Sequence, residues 1–282
     1  MYLTHPYPND SAAERRAIFP AELARYRFLG LEPFLPDARL IDVGCGTGHR
    51  VMPMAQHFGV RDYVGFDHST TSLAVARELA AELGFANASF AEGDLFTLPY
   101  PDASFDVVIS QGVLHHTSDP LRGFKELVRI CKPNGFVAIY LYNKWNHWRP
   151  NLQKQRVDRL AGADVERRFD VAYELYGSRP LTEMSPADIA GFYDQYCHPH
   201  KSDHTVGEPL GWFEREGLQY WGSYPPLGFK DFLVMAQQVT TASPPFRFPT
   251  VFHRLMWQLI YAVQGSRGKY SGGPAVCGRK VQ

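Results

Sequence analysis

One short stretch, Leu40-Ile-Asp-Val-Gly-Cys-Gly-Thr-Gly-His-Arg50, constrains this chain more than any other. An apolar run of strand character enters a turn with glycines at 44, 46 and 48. Glycines at that spacing let the backbone turn tightly after a strand and approach a ligand closely, as in dinucleotide-binding α/β folds. The pyrophosphate fingerprint G-x-G-x-x-G would need a third glycine at position 49, which is His49. Asp42 argues against pyrophosphate as well, because a carboxylate beside the loop repels phosphate oxygens and attracts a ligand with ammonium or sulfonium charge.

S-adenosylmethionine carries both of those charges. The pattern D-x-G-x-G-x-G, met here by Asp42, Gly44, Gly46 and Gly48, is followed in order by Tyr63-Val-Gly-Phe-Asp67, Gly93-Asp94-Leu95, Phe105-Asp-Val-Val-Ile-Ser110 and Lys132-Pro-Asn-Gly135. On these motifs the chain resembles the class I S-adenosylmethionine-dependent methyltransferases over roughly residues 36 to 142, most of all the broad group that includes ubiquinone and menaquinone C-methyltransferases. The resemblance implies a Rossmann-like fold, S-adenosyl-L-methionine as cofactor, and methyl transfer to an acceptor it does not identify.

Alternation of short apolar runs with helical patterns independently predicts a doubly wound parallel sheet. Strands are expected near 38–43, 62–66, 87–91, 104–110 and 134–141, with helices over about 48–58, 70–84 and 118–131. Asp119 and Pro120 cap and start the last of these. Ser11 to Arg27 reads as helical, broken near Pro20, either shielding the cofactor or covering a sheet edge. Beyond Asn143 strand signals vanish and charges mix, which predicts an inserted helical cap. Residues 205–217 read as a helix ending at a glycine and Leu218–Ser223 as a further strand. Helices are expected over about 228–238 and 249–264. By the resemblance, Pro274–Val281 is the terminal antiparallel strand of a seven-stranded sheet. The expected organisation is an N-terminal helical segment (1–35), a cofactor-binding core (36–142), a helical cap (143–204) and a C-terminal part completing the sheet (205–282).

The glycines should cradle the amino-acid part of the cofactor. Asp67, 21 residues past Gly46 at a strand end, can accept both ribose hydroxyls, with His68 beside it. Its alternative reading is a turn acid or helix cap. Asp94 can take the adenine amino group, with Leu95 or Phe96 against the ring face, unless Asp94 only closes a turn. Gln111 lies where, by resemblance, the methionine end and the acceptor meet. His115 and His116 follow; a histidine there can remove the acceptor's proton, because its pKa lies near neutrality. One of the two is expected to be structural. Tyr142 and Asn143 leave the fifth strand near the same mouth and, with Tyr193, Tyr196 and His200 from the cap, are the expected acceptor-pocket residues. Cys197, His198, His200, Asp203 and His204 could ligate zinc, but their spacing matches no metal motif. The reading with no metal is preferred, and pocket lining or a solvated loop is expected instead.

Composition narrows the partners. In 282 residues, 29 basic and 29 acidic side chains balance, so no global field gathers nucleic acid or an anionic membrane. Aromatics at 14% suit a pocket for a small organic acceptor. Four cysteines without a C-x-x-C pair predict free thiols, and the N-terminus lacks a signal-peptide pattern, so a cytoplasmic location is expected. No apolar run is long enough to span a bilayer, so no stable membrane insertion is expected. Phe246–Val263 is apolar on most faces and reads as a buried helix, in the cap or across a homodimer. Interfacial membrane contact ranks behind, because basic residues there are few. Three functions stay open: a small-molecule methyltransferase acting at oxygen, nitrogen or carbon, an RNA or protein methyltransferase, and a silent cofactor-binding protein that docks a partner.

Overall fold

The computed structural model describes residues 7, 10–228, 246–267 and 273–281. Among these, seven strands form one sheet in the order β3-β2-β1-β4-β5-β7-β6. They are β1 (Arg39–Val43), β2 (Asp62–Asp67), β3 (Ala88–Glu92), β4 (Phe105–Gln111), β5 (Cys131–Tyr140), β6 (Leu218–Tyr224) and β7 (Ala275–Lys280). The first five pair in parallel, and β7 runs antiparallel to both β5 and β6. The expected seven-stranded, mostly parallel sheet with a terminal antiparallel strand is present. Leu40, Ile41, Val43, Val107, Val108 and Ile109 are buried, because helices cover the sheet on both faces.

The flanking helices start and stop where local chemistry dictates. Ser69 accepts the Ser72 amide ahead of α3 (Thr70–Leu83), which ends at left-handed Gly84. Before α4 (Pro120–Ile130), the Asp119 carboxylate accepts the Arg122 amide, and the helix buries Phe124, Leu127 and Ile130. The short α2 (Met52–His57) follows the glycine turn.

The expected break at Pro20 does not occur. The helix α1 (Ala12–Phe28) runs through it. Pro20 faces solvent, a Ser11/Glu14 capping box holds the start, and the buried Glu22 and Tyr26 anchor the second half. Packing on both sides of the proline offsets its lost hydrogen bond.

Between β5 and β6 lie α5 (Trp148–Ala161), α6 (Val165–Tyr176), α7 (Pro186–Phe192), a π-helical turn (Tyr193–Cys197) and α8 (Gly207–Arg215). Val157, Ala161, Ala172, Tyr196 and Cys197 form a small core of their own there. The segment after it returns to the sheet: His204 N donates to Tyr142 O, Lys144 N to His204 O, and Ser202 N to His115 O.

The helix expected at 249–264 is α9 (Val251–Ser266), but it is not buried on most faces. Trp257, Tyr261 and Gly265 face inward, while Val251, Phe252, Leu255, Leu259 and Val263 face solvent. The inward side seats on residues 145–146: a methyl group on Gly265 would lie 2.5 Å from Asn146 O. The helix expected at 228–238 lies almost wholly outside the described residues.

Candidate active site

A cavity of about 840 Å³ opens at the carboxyl ends of β1, β2, β4 and β5, where the sheet order reverses around β1. Asp42, Gly44, Gly46, Asp67, His68, Asp94, Leu95 and Gln111 line one part of it. The β1 turn needs its glycines. Gly44 and Gly46 have φ of +78° and +54°, and a side chain at Gly44 would strike Val113. Gly48, also expected on the cavity wall, instead faces Met52, because the chain has already turned into α2.

The acids differ sharply. Asp67 Oδ2 accepts the Gly46 amide at 2.8 Å and Oδ1 the Ser69 amide at 2.9 Å, so this carboxylate ties the glycine turn to β2 while it faces the cavity. Ser69, not Asp67, caps α3. His68 stands beside it with Nδ1 3.4 Å from Asp67 Oδ1. Asp94 accepts the Phe96 amide and is otherwise exposed at the rim. Asp42 is buried, and that burial pushes its carboxyl up to about 7. The Tyr63 hydroxyl, donating at 3.2 Å, pulls it down, and Asp67 and Glu22 push it further up.

The cavity therefore holds Asp42, Asp67 and Glu22 close together. A ligand with ammonium and sulfonium charge relieves that crowding, and the glycine turn leaves room for its backbone approach. The donor set fits S-adenosylmethionine.

Helix α1 contributes what the sequence did not reveal. Its Glu22 is buried, 2.9 Å from Arg25 and 3.8 Å from Arg50, and all three line the cavity. Arg25 donates to Gln111 Oε1, and Gln111 Nε2 donates to the Tyr26 hydroxyl, so the Gln111 side chain is pinned to α1.

The other part of the cavity is lined by His116, Tyr140, Tyr142, His147, His198 and His200. His116 Nε2 lies 3.2 Å from Asp194 Oδ1, and its Nδ1 is 3.3 Å from the His200 carbonyl oxygen. The Tyr142 hydroxyl donates to Asp194 Oδ2 at 2.9 Å. Asp194 is itself buried and sits on the π-helical turn, a distortion that recurs at functional positions. Burial brings the His147 and His198 imidazoles down to about 3, with Lys201 and His116 respectively adding to the effect.

Several expected residues fall elsewhere. His115 is fully buried behind the wall, stacked 3.8 Å from the Tyr142 ring. Its Nδ1 accepts the Tyr142 amide, and burial holds its pKa well below the ordinary histidine value. Asn143 is also buried and turns inward, its Oδ1 accepting the Trp145 and Asn146 amides. Tyr193 stacks on Phe169 and Tyr196 donates to Gln153, both among the 148–197 helices, because the π-turn aims Asp194 rather than the tyrosines at His116 and Tyr142. The zinc alternative disperses too. Cys197 joins the small apolar core, Asp203 accepts from Asn151, and His204 contacts Ser202 and Glu208. Among the described residues no group of three or more His, Cys, Asp or Glu is arranged to hold a metal.

Sequence reasoning flagged residues 193–204 but missed Asp194, His147, Glu22 and Arg25. A single buried acid among solvated ones carries no local signal. The i, i+3 spacing of Glu22 and Arg25 was legible only as a helix-surface pair.

A family model described as a methyltransferase domain matches residues 35–170. Methyltransferase YcgJ of Bacillus subtilis is 33% identical over 38% of this chain and 42% of its own length. The 2-methyl-6-phytyl-1,4-hydroquinone methyltransferase of Synechocystis sp. is 32% identical over 46% of this chain and 42% of its own. The chain thus spans about half the length, or less, of the curated relatives it matches. A solved S-adenosylmethionine-dependent methyltransferase from Mesorhizobium loti shares the fold, with a TM-score of 0.52 at 18% identity, covering 94% of this chain and 98% of that one.

Proposed function

Because this chain belongs to the class I S-adenosylmethionine-dependent methyltransferase superfamily, we propose that it transfers the cofactor's methyl group to oxygen, nitrogen or carbon of a small aromatic or amphipathic acceptor. The observation that carries the reading is one cavity shared by the glycine turn and by Tyr142, His147, His198 and His200. Residues from the 143–204 segment on the wall of the methyl-transfer space favour an enclosed small molecule over RNA or protein, which would need an open approach. A volume of about 840 Å³ is in the range of pockets that bury drug-sized ligands. An acceptor named as a hydroquinone in the Synechocystis relative fits the same chemical class.

S-adenosylmethionine supplies an electrophilic methyl carbon. Asp42 and Glu22 would face its positive charges, Asp67 would accept its ribose hydroxyls, and Asp94 with Leu95 would hold its adenine. Arg25 and Arg50 offset Glu22 and favour a carboxylate nearby. The aromatic walls, Tyr140 and Tyr142, orient the acceptor, and collinear positioning of the reacting atoms supplies much of the rate.

Where the acceptor must lose a proton, His116 takes it. The His200 carbonyl oxygen, 3.3 Å from Nδ1, can only accept, so Nδ1 carries the proton and Nε2 is the nitrogen left to take one. The imidazolium so formed is stabilised by the Asp194 carboxylate, 3.2 Å from Nε2. Asp194 is a positioning residue in this scheme, fixed in turn by the Tyr142 hydroxyl.

The test is calorimetric titration with S-adenosylmethionine, followed by detection of S-adenosylhomocysteine released against panels of small acceptors, RNA and protein. Cofactor binding with turnover on small acceptors is expected. Preference for a nicotinamide cofactor would sink the reading, and turnover on RNA or protein alone would overturn the acceptor class.

A further inference from the structure

The outer face of α9 plays no part in the site. Val251, Leu255, Leu259 and Val263 recur every four residues and, with Phe252, make one continuous stripe. Their exposures of 67%, 63%, 67% and 42%, and 72% for Phe252, are far above those of a core helix. At its C-terminal end α9 abuts residues 145–146. Beside them Trp145, Trp148 and Leu152 are also exposed. The start of α5, which packs against α9, thus adds exposed apolar surface of its own.

Charge decides what such a surface meets. Residues 246–267 contain Arg247, Arg254 and Arg267 and no acid, and residues 144–157 contain Lys144, Arg149, Lys154 and Arg156 and no acid. Lys154 is paired with Asp158, whereas Lys144, Arg149 and Arg156 are exposed. In a chain whose total charge is zero, this face is locally cationic, because the start of α5 adds the basic residues of which 246–263 alone holds few. A two-fold dimer through α9 would set arginines against their own copies with no acid in either segment to receive them. An apolar stripe edged by arginine, with tryptophans beside it, is instead the pattern of a helix lying in the headgroup layer of a bilayer.

We propose that this face, α9 with the start of α5, docks the protein on an anionic lipid surface. The contact is peripheral, since no helix among the described residues is long and apolar enough to cross a membrane. The inner side of the same helix seats on residues 145–146, which lie between the cavity-lining Tyr142 and His147, so docking would set the acceptor pocket close to the bilayer.

The test is co-sedimentation of the full chain with sucrose-loaded vesicles of phosphatidylcholine alone, or with a third of the lipid replaced by phosphatidylglycerol. Binding is expected to the anionic vesicles and to weaken as salt shortens the screening length. Arg267→Glu should weaken it at least fivefold, the factor expected for one basic residue at an acidic surface. Leu255→Glu/Leu259→Glu, both exposed and therefore compatible with folding, should weaken it more than tenfold while leaving melting temperature and cofactor affinity unchanged. Sedimentation with neither vesicle, or binding that survives the double substitution, would overturn the proposal. A dimer in analytical ultracentrifugation that the double substitution dissociates would overturn it in favour of self-association.

Discussion

Replacing Asp42 by asparagine in the unliganded protein probes the electrostatic basis of the cofactor site directly. The Asp42 carboxyl is raised from 3.8 to about 7, chiefly by burial. A raised value means that the folded chain holds the proton more tightly than the unfolded chain. The protonated carboxyl's contribution is therefore fully present below about pH 4 and is lost as pH climbs to about 7. At about 1.4 kcal/mol per pH unit, the whole window amounts to roughly 4 kcal/mol, and the part between pH 5 and pH 8 to roughly 3 kcal/mol. Asparagine keeps an acceptor for the Tyr63 hydroxyl and cannot ionise. Packing changes caused by the substitution do not depend on pH, so they cancel when two pH values are compared. The melting temperature of Asp42→Asn minus that of the parent should therefore be larger at pH 8 than at pH 5, by about 6–12 °C for a chain of this size. Scanning calorimetry at the two pH values measures it. An equal difference at both, or a smaller one at pH 8, refutes the reasoning. Cofactor binding to the parent chain near pH 7 should release a proton as Asp42 ionises beside the incoming positive charge, read as a dependence of binding heat on buffer ionisation enthalpy.

Removing Asp67 by alanine should weaken S-adenosylmethionine binding by about 1.5–3 kcal/mol, the range of charge-assisted hydrogen bonds; unchanged affinity in the folded variant would take Asp67 out of the site. His116→Ala should cut turnover by about 10²–10⁴-fold with cofactor affinity nearly intact, and a loss below about tenfold would mean that positioning alone carries the rate. Asp194→Asn should lower kcat and move the pH profile of turnover rather than raise KM alone, since it acts through His116; an unchanged profile would leave Asp194 a packing residue. Gly265→Ala should destabilise the fold by roughly 1–3 kcal/mol, because the added methyl presses on the backbone of residues 145 and 146; a melting temperature equal to the parent's would show that α9 shifts freely.

What the sequence determined by itself is local and periodic. The glycine turn after β1, the acids at strand ends, the capped helices and the order of apolar runs follow from residues a few positions apart, and these place Asp42, Asp67, Asp94 and Gln111 at one sheet edge. Whether a given residue faces the cavity depends on contacts far apart in the chain. His115 and His116 are adjacent, yet one is sealed behind Tyr142 and the other meets Asp194, 78 residues further on. That meeting is set by how the 148–197 helices fold over the sheet and by a single π-helical turn, neither of which has a sequence period. The same holds for α9: its composition says apolar, but only the seat of Gly265 on residues 145–146 decides which face is buried and which is left to solvent. Helical periodicity gives the faces of an element, and the packing of the whole chain chooses among them.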